Sequence, residues 1–273
     1  MNNQQFDEEE QRFQFGENWK DFLSHIDESR VVESDKSLKD FLEVEDLNGK
    51  SFIDVGSGSG LSSLSARRLG AEILSFDYDP HSVACTKELR HKYFPGDDQW
   101  EVMQGSILDK EFVDTLGTFD ICYAWGVLHH TGALWDALNQ VDGLVKPGGQ
   151  LYVALYNDEG WISAVWYAIK KMYNTHTVMK LVLTIIMFSV FFLAGLFSDI
   201  FRFKNPINRF KDHKKLRGMS LVHDWKDWLG GFPYEVSSPE KVNSFFEEKN
   251  YKLINFKKPI YGFGCNYYLF RKK

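Results

Sequence analysis

Residues Asp54-Val55-Gly56-Ser57-Gly58-Ser59-Gly60 set a carboxylate before three glycines at alternate positions. Glycines so spaced allow the backbone a tight turn and a close approach to a ligand. Asp77 ends the next apolar run, where a carboxylate can accept both hydroxyls of a ribose. A second group, His129 and His130, follows a later apolar run. Imidazole titrates near neutral pH, so one of them could deprotonate an oxygen, nitrogen or sulfur nucleophile. Adjacent side chains diverge, which leaves the other to pack or to cap the helix expected near Leu134. Tyr156 and Asn157 end a further run and should face the same cleft. No third ligand is spaced near the two histidines, so a metal site is not expected.

Mismatches narrow the ligand. A dinucleotide fingerprint needs glycine at position 61, which is Leu61, and a P-loop needs Gly-Lys-Ser/Thr where Gly60-Leu61-Ser62 stands. Asp54 would repel a pyrophosphate but suits an ammonium group. S-adenosylmethionine carries an amine, a sulfonium and a ribose without phosphate, and its chemistry matches the loop.

The elements around these residues alternate. Strands are expected at Ser51–Val55, Glu72–Phe76, Trp100–Met103, Phe119–Ala124 and Gln150–Tyr156. Helices are expected at Leu61–Leu69, Pro80–Lys92, near Asp109–Leu116, and at Leu134–Val145, closed by Lys146-Pro147-Gly148-Gly149. This alternation predicts an α/β fold with a parallel sheet covered on both faces. The rhythm breaks after Tyr156 and resumes with a helix at Pro239–Lys249, capped by Ser238, and strands at Tyr251–Lys257 and Asn266–Arg271. Four parts are expected: an N-terminal helical arm (1–49), a cofactor core (50–156), a helical cap insertion (157–238), and a C-terminal helix and two strands completing the sheet (239–273).

The motifs in order resemble those of class I S-adenosylmethionine-dependent methyltransferases. DVGSGSG, the acidic end of the second strand, FDICYAWGVLHH and KPGGQLYVALYN carry the resemblance over Phe52–Tyr156. It is nearest to small-molecule methyltransferases related to ubiquinone and menaquinone biosynthesis. A bacterial subgroup with GENW near the start and RGMS…DW…WLGG…PYE in the insertion is also similar. The resemblance implies a Rossmann-like sheet of five parallel strands plus a C-terminal antiparallel hairpin. It implies that Gly56, Ser57, Gly58 and Gly60 line the methionine and ribose end of the cofactor, with Asp54 on the amino group through backbone or water. Asp77 would hold the ribose hydroxyls and Tyr78 would lie beside the adenine. Ser106, where family members commonly have Asp, and Ile107 would meet the adenine. Trp125 and Gly126 would approach the methionine moiety. Trp19 would either cover the cofactor or pack the N-terminal arm onto the core. The expected partner is a small, lipophilic methyl acceptor.

Composition bounds the rest. The chain has 273 residues and a net charge of -6, which argues against nonspecific nucleic-acid binding as the main task. Cys85, Cys122 and Cys265 are too few and too scattered for a disulfide framework. Met1–Glu10 are polar and acidic, without an apolar signal-peptide core, so a cytoplasmic protein is expected. Leu181–Ser198 is free of charge, and Arg202–Arg217 holds 7 basic residues against 1 acidic. A single span would put the last strands on the wrong side of the membrane, so the apolar run is expected to be buried, to form a homodimer, or to dip into the inner face of the membrane. A cluster of His223, Asp224, Trp225, Trp228, Gly230, Gly231, Tyr234 and Glu235 suits a pocket wall or a structural turn. Two alternative functions stand beside the first: an RNA or protein methyltransferase, and a non-catalytic cofactor-binding scaffold at the membrane.

Overall fold

The computed structural model describes residues 13, 26–202, 205, 221–258 and 264–273, with only the backbone of 221–224 and 227. In chain order its elements are α1 (Glu28–Leu42), β1 (Ser51–Val55), α2 (Leu61–Arg68), β2 (Glu72–Asp77), α3 (Pro80–Tyr93), β3 (Trp100–Gln104), α4 (Lys110–Leu116) and β4 (Phe119–Trp125). There follow α5 (Leu134–Gly143), β5 (Val145–Tyr156), α6 (Trp161–Thr175), α7 (Thr177–Phe201), α8 (Leu221–Gly230), α9 (Pro239–Glu248), β6 (Tyr251–Lys257) and β7 (Cys265–Lys272).

Several helix starts are set by local chemistry. Asp27, Asp79, Asp109 and Ser238 each accept a hydrogen bond from a backbone N–H of the first turn, and Pro80 and Pro239 open α3 and α9. The strands form one seven-stranded sheet in the order β3-β2-β1-β4-β5-β7-β6. β1 to β5 are parallel, and β7 runs against both β5 and β6. The chain therefore leaves β1 in one direction, towards β2 and β3, and resumes on the other side with β4. In open sheets of this kind ligands bind where these directions diverge, beyond the carboxyl ends of β1 and β4.

Both faces of the sheet are covered, as the uninterrupted apolar strands require. Ile53, Val55, Leu138, Val141, Leu151, Val153 and Phe246 pack on one face. Phe52, Leu64, Ile73, Trp100, Tyr123 and Leu42 pack on the other, so α1 closes that side.

One boundary differs from the sequence expectation. α5 stops at Gly143, and β5 begins at Val145 rather than Gln150. The Lys146–Gly149 turn is drawn into the start of the strand, because Val145 pairs with Phe119 and the Lys146 ammonium reaches Asp120 at 2.9 Å. Those partners come from β4, which a local reading of Lys-Pro-Gly-Gly does not see.

Between β5 and α9 the chain makes the excursion α6–α7–α8. Its two ends are stitched together at the sheet. Asn157 bridges Ser237, Ser237 N–H donates to the Tyr156 carbonyl at 3.0 Å, and Asn266 donates to the Asn157 side chain at 2.7 Å. Asp142 on α5 ties down the C-terminal elements: Lys249 at 3.2 Å, Lys272 at 2.8 Å and the Tyr251 hydroxyl at 3.0 Å. Asp142→Ala should lower stability by about 2 kcal/mol, the scale of charge-assisted bonds lost in a partly buried site. A urea melt checks this; an unchanged midpoint would mean that packing alone holds the last hairpin.

Candidate functional site

The glycine loop hangs on the end of β2. Gly56 and Ser57 N–H donate to the Phe76 carbonyl at 2.8 and 3.1 Å, and Gly60 N–H donates to the Ser57 carbonyl at 2.8 Å. Gly56 has φ +75°, and a Cβ there would lie 2.3 Å from a Val127 methyl, so both its conformation and its contact with the β4 loop demand glycine. Thr86 on α3 braces the loop from behind, through the Ser57 hydroxyl at 2.9 Å and the Gly58 carbonyl at 3.3 Å. Gly126 has φ +73° with open space where a Cβ would stand, so the main chain after β4 borders the crevice bare.

Two carboxylates sit under this loop. Asp54 is 2% exposed. Trp100 Nε1 donates to Ser75 at 2.9 Å, Ser75 lies 2.7 Å from Ser63, and Ser63 donates to Asp54 at 2.5 Å. An indole N–H only donates, so the relay points its donors at Asp54. Burial nonetheless pushes the Asp54 carboxyl up to about 7, against the Ser63 bond and with help from Asp77. Asp77 accepts Gly58 N–H on one oxygen and Asp79 N–H on the other, each at 2.9 Å. Burial raises it to about 6 in spite of these two donors. The Tyr78 N–H also bonds this carboxylate, and a carboxylate offers about four acceptor sites, so backbone donors take up much of its capacity.

This donor set fits the cofactor implied by the sequence resemblance and does not fit a pyrophosphate. Two acidic groups with raised affinity for protons lie where a phosphate would need positive charge. A cationic ligand with vicinal hydroxyls would stabilise both in their ionised forms. The other described residues expected at this ligand lie at or just after the ends of β2, β3 and β4. Tyr78 and Trp125 are exposed at the ends of β2 and β4, and Trp125 stacks on Tyr267 at 6.0 Å. Ser106 accepts Leu108 N–H at 3.2 Å. The Ile107 side chain is buried in the core, so its approach to a ligand would run through the main chain. Trp19 lies outside the described residues, as do the side chains of His223 and Asp224.

The adjacent histidines part ways. His129 is 1% exposed, with its ring 4.0 Å from Tyr156 and 4.4 Å from His130. Burial, then the neighbouring His130 and Lys170, hold its pKa well below the usual imidazole value, so it stays neutral. His130 is half-buried, and its Nδ1 lies 2.6 Å from the Pro233 carbonyl. A carbonyl only accepts, so Nδ1 carries a proton and donates it to this bond. The returning segment also bonds this turn through Glu235: its N–H donates to the His129 carbonyl at 3.0 Å, and its carboxylate accepts Leu134 N–H at 3.1 Å. Among the described residues, no group of three or more His, Cys, Asp or Glu gathers as a metal site.

Beyond Tyr156 lies a water-sized cavity of about 20 Å³, lined by Ile162, Trp166, Lys170, Trp228 and Tyr234 among others. Lys170 is 2% exposed; its ammonium donates to the Trp228 carbonyl and lies 5.1 Å from the Tyr234 ring centroid. Sequence reasoning missed Lys170 and Pro233. Nothing local marks a buried lysine on an amphipathic helix, or a carbonyl that orients a histidine about a hundred residues away. The Ser63–Ser75 relay was missed too, although small hydroxyl residues at inward positions of apolar runs are a usable signal.

Comparison with known proteins agrees with this geometry. Residues 53–153 match the methyltransferase domain family. A tRNA U34 carboxymethyltransferase of Methylococcus capsulatus is 31% identical over 42% of this chain and 34% of its own length. A mitochondrial ubiquinone biosynthesis O-methyltransferase of Schizosaccharomyces pombe is 29% identical over 42% of this chain and 40% of its own. The chain thus spans little more than a third of the length of these curated relatives. Among solved structures, the magnesium protoporphyrin IX methyltransferase of Synechocystis aligns with a TM-score of 0.53 over 89% of this chain and 83% of its own, at 11% identity, a likeness of fold. The glycine loop and its buried carboxylates therefore lie within the stretch, residues 53–153, that matches the methyltransferase domain family, and the sheet that carries them has the fold of class I S-adenosylmethionine-dependent methyltransferases.

Proposed function

We propose that the protein is an S-adenosylmethionine-dependent methyltransferase acting on an oxygen, nitrogen or sulfur nucleophile of a small, lipophilic molecule. The observation that carries this reading is Asp77: its buried carboxylate ends β2 and is tied to the glycine loop by Gly58 N–H at 2.9 Å. S-adenosylmethionine would supply an electrophilic methyl group on a sulfonium. Gly56, Gly58 and Gly60 let the main chain approach it, Asp77 holds the ribose, and Trp125 and Gly126 border its methionine end.

The residues of this chain then have two tasks. Orientation of nucleophile and methyl group supplies much of the acceleration in such a displacement. The Tyr156, Tyr234, Trp166 and Trp228 rings line one water-sized cavity beyond the end of β5, an aromatic setting consistent with an apolar acceptor, and the ubiquinone-biosynthesis relative offers a small-molecule precedent. Where the nucleophile must lose a proton, Nε2 of His130 accepts it while the Pro233 carbonyl fixes the ring through Nδ1. His129, neutral and buried against Tyr156, positions the turn.

An RNA acceptor is a second reading. It rests on the tRNA-modifying relative and on the basic run Arg202–Arg217, and the acidic balance of the whole chain opposes it. Salt-sensitive retention of RNA on a filter would favour it.

Calorimetry with S-adenosylmethionine tests the main reading. Asp77→Ala should weaken binding about 100-fold through the loss of two charge-assisted bonds, and Asp77→Asn should weaken it less. Binding should fall as pH drops through about 6, where Asp77 takes up a proton. Near that pH the complex should release protons on forming, because the cationic ligand lowers the pKa values of Asp77 and Asp54; above pH 8 the release should vanish. Unaltered affinity in Asp77→Ala would overturn the assignment. His130→Gln should keep cofactor affinity within a few-fold and lower turnover about 100-fold or more, read as S-adenosylhomocysteine formed in a screen of small apolar acceptors. Full turnover in that variant would remove His130 from the chemistry.

A further inference from the structure

We infer that α7 is a membrane-docking element, which lies along an anionic bilayer surface with its outer side in one leaflet. The helix runs from Thr177 to Phe201 and by length and composition could cross a membrane, yet only 6% of its most apolar stretch is buried. One side packs inward. Leu183 is buried beside Tyr173 and Leu229, Phe188 and Phe191 lie 5.4 and 5.6 Å from Trp225, and Gly195 and Asp199 are buried further along. Much of the other side is exposed. Phe201 is 81% exposed, Leu181 63% and Ile185 60%, and Val182, Ile186, Val190, Phe192, Leu193, Phe197 and Ile200 are exposed with them.

The sheet decides how such a helix can meet a bilayer. β5 precedes α7 and β7 follows it, and the two pair from Gln150↔Arg271 to Tyr156↔Cys265. Both ends of the excursion therefore lie on one side, and a single crossing is impossible. A helix lying in the interface, with its apolar side sunk roughly 5–10 Å, meets this constraint.

The shape of the apolar surface selects lipid over a second copy of the chain. At 3.6 residues per turn the exposed large side chains spread over roughly 200° of the helix. A packed helix partner covers a stripe of about 100° and would leave the other half in water, whereas acyl chains wrap the whole arc. Charge points the same way. Residues 177–198 hold one charged side chain, Lys180, and the one acidic residue before the helix ends, Asp199, is buried. Arg202 starts the run to Arg217 with 7 basic residues and 1 acidic, a sequence suited to anionic headgroups. Trp161 and Met172 are also exposed on α6, which packs beside α7.

Flotation of the intact protein with vesicles tests the inference, using phosphatidylcholine alone and phosphatidylcholine mixed with phosphatidylglycerol. Binding should be at least about tenfold stronger to the anionic vesicles and should fall to the neutral level when Arg202→Glu, Lys214→Glu and Lys215→Glu are combined. Leu181→Glu with Ile185→Glu should abolish flotation on both vesicles. These two side chains are solvent-facing, so circular dichroism and the thermal midpoint should match the parent protein. Lack of flotation by the parent protein overturns the inference, as does flotation that survives Leu181→Glu with Ile185→Glu. So does light scattering that shows a dimer, dispersed by those two substitutions, with no vesicle binding: a second copy would then be the occupant.

Discussion

Burying carboxylates at the ends of β1 and β2 is costly unless donors are brought to them, and much of the cofactor crevice is organised around that requirement. Asp54 receives a relay that starts at Trp100 on β3 and passes through Ser75 on β2 and Ser63 on α2. Asp77 receives the backbone of the glycine loop itself. The loop is thus shaped by the same carboxylate that would hold a ribose. Both acids stay shifted upward, to about 7 and about 6, so the donors only partly offset burial. A ligand that brings positive charge completes what the protein leaves unbalanced. This links the central strands of the sheet to the chemistry of the ligand in one electrostatic argument.

The proposed acceptor side is built differently. Its residues come from opposite ends of a long excursion and meet because the excursion is closed at its root. The bonds among Tyr156, Asn157, Ser237 and Asn266 fix where the chain leaves the sheet and where it returns. The returning segment then brings the Pro233 carbonyl to His130 and Glu235 to the start of α5. A helical excursion can vary in its outer parts without moving this root. The same closure that orients His130 would keep α7 on one side of any membrane, so the site and the proposed docking surface share one topological cause.

The core was legible from local pattern because its signals are local. Apolar runs broken by glycine, Asp and Pro caps, and alternating strands and helices repeat at short range, and the boundaries agree to within a residue or two over most of β1 to β4. The exception, the early start of β5, depends on Phe119 and Asp120, which lie in another strand. In the site, the glycine loop and Asp77 were visible as a motif. The relay behind Asp54 and the buried Lys170 were not, because their partners are distant in the chain and their residue types are ordinary.

The amino-acid sequence by itself determined the type of sheet, the position of the glycine loop, the mismatch with a phosphate-rich ligand and the presence of a long uncharged stretch, Leu181–Ser198. These follow from spacing, charge and hydropathy, which act between near neighbours. Only the tertiary structure decided which of two adjacent histidines is sealed and which is held by a carbonyl, since that depends on Pro233 arriving from the far end of the excursion. It also decided that α7 buries one side and leaves much of the other exposed. Composition can say that a helix is apolar; only packing says which of its sides the protein itself covers.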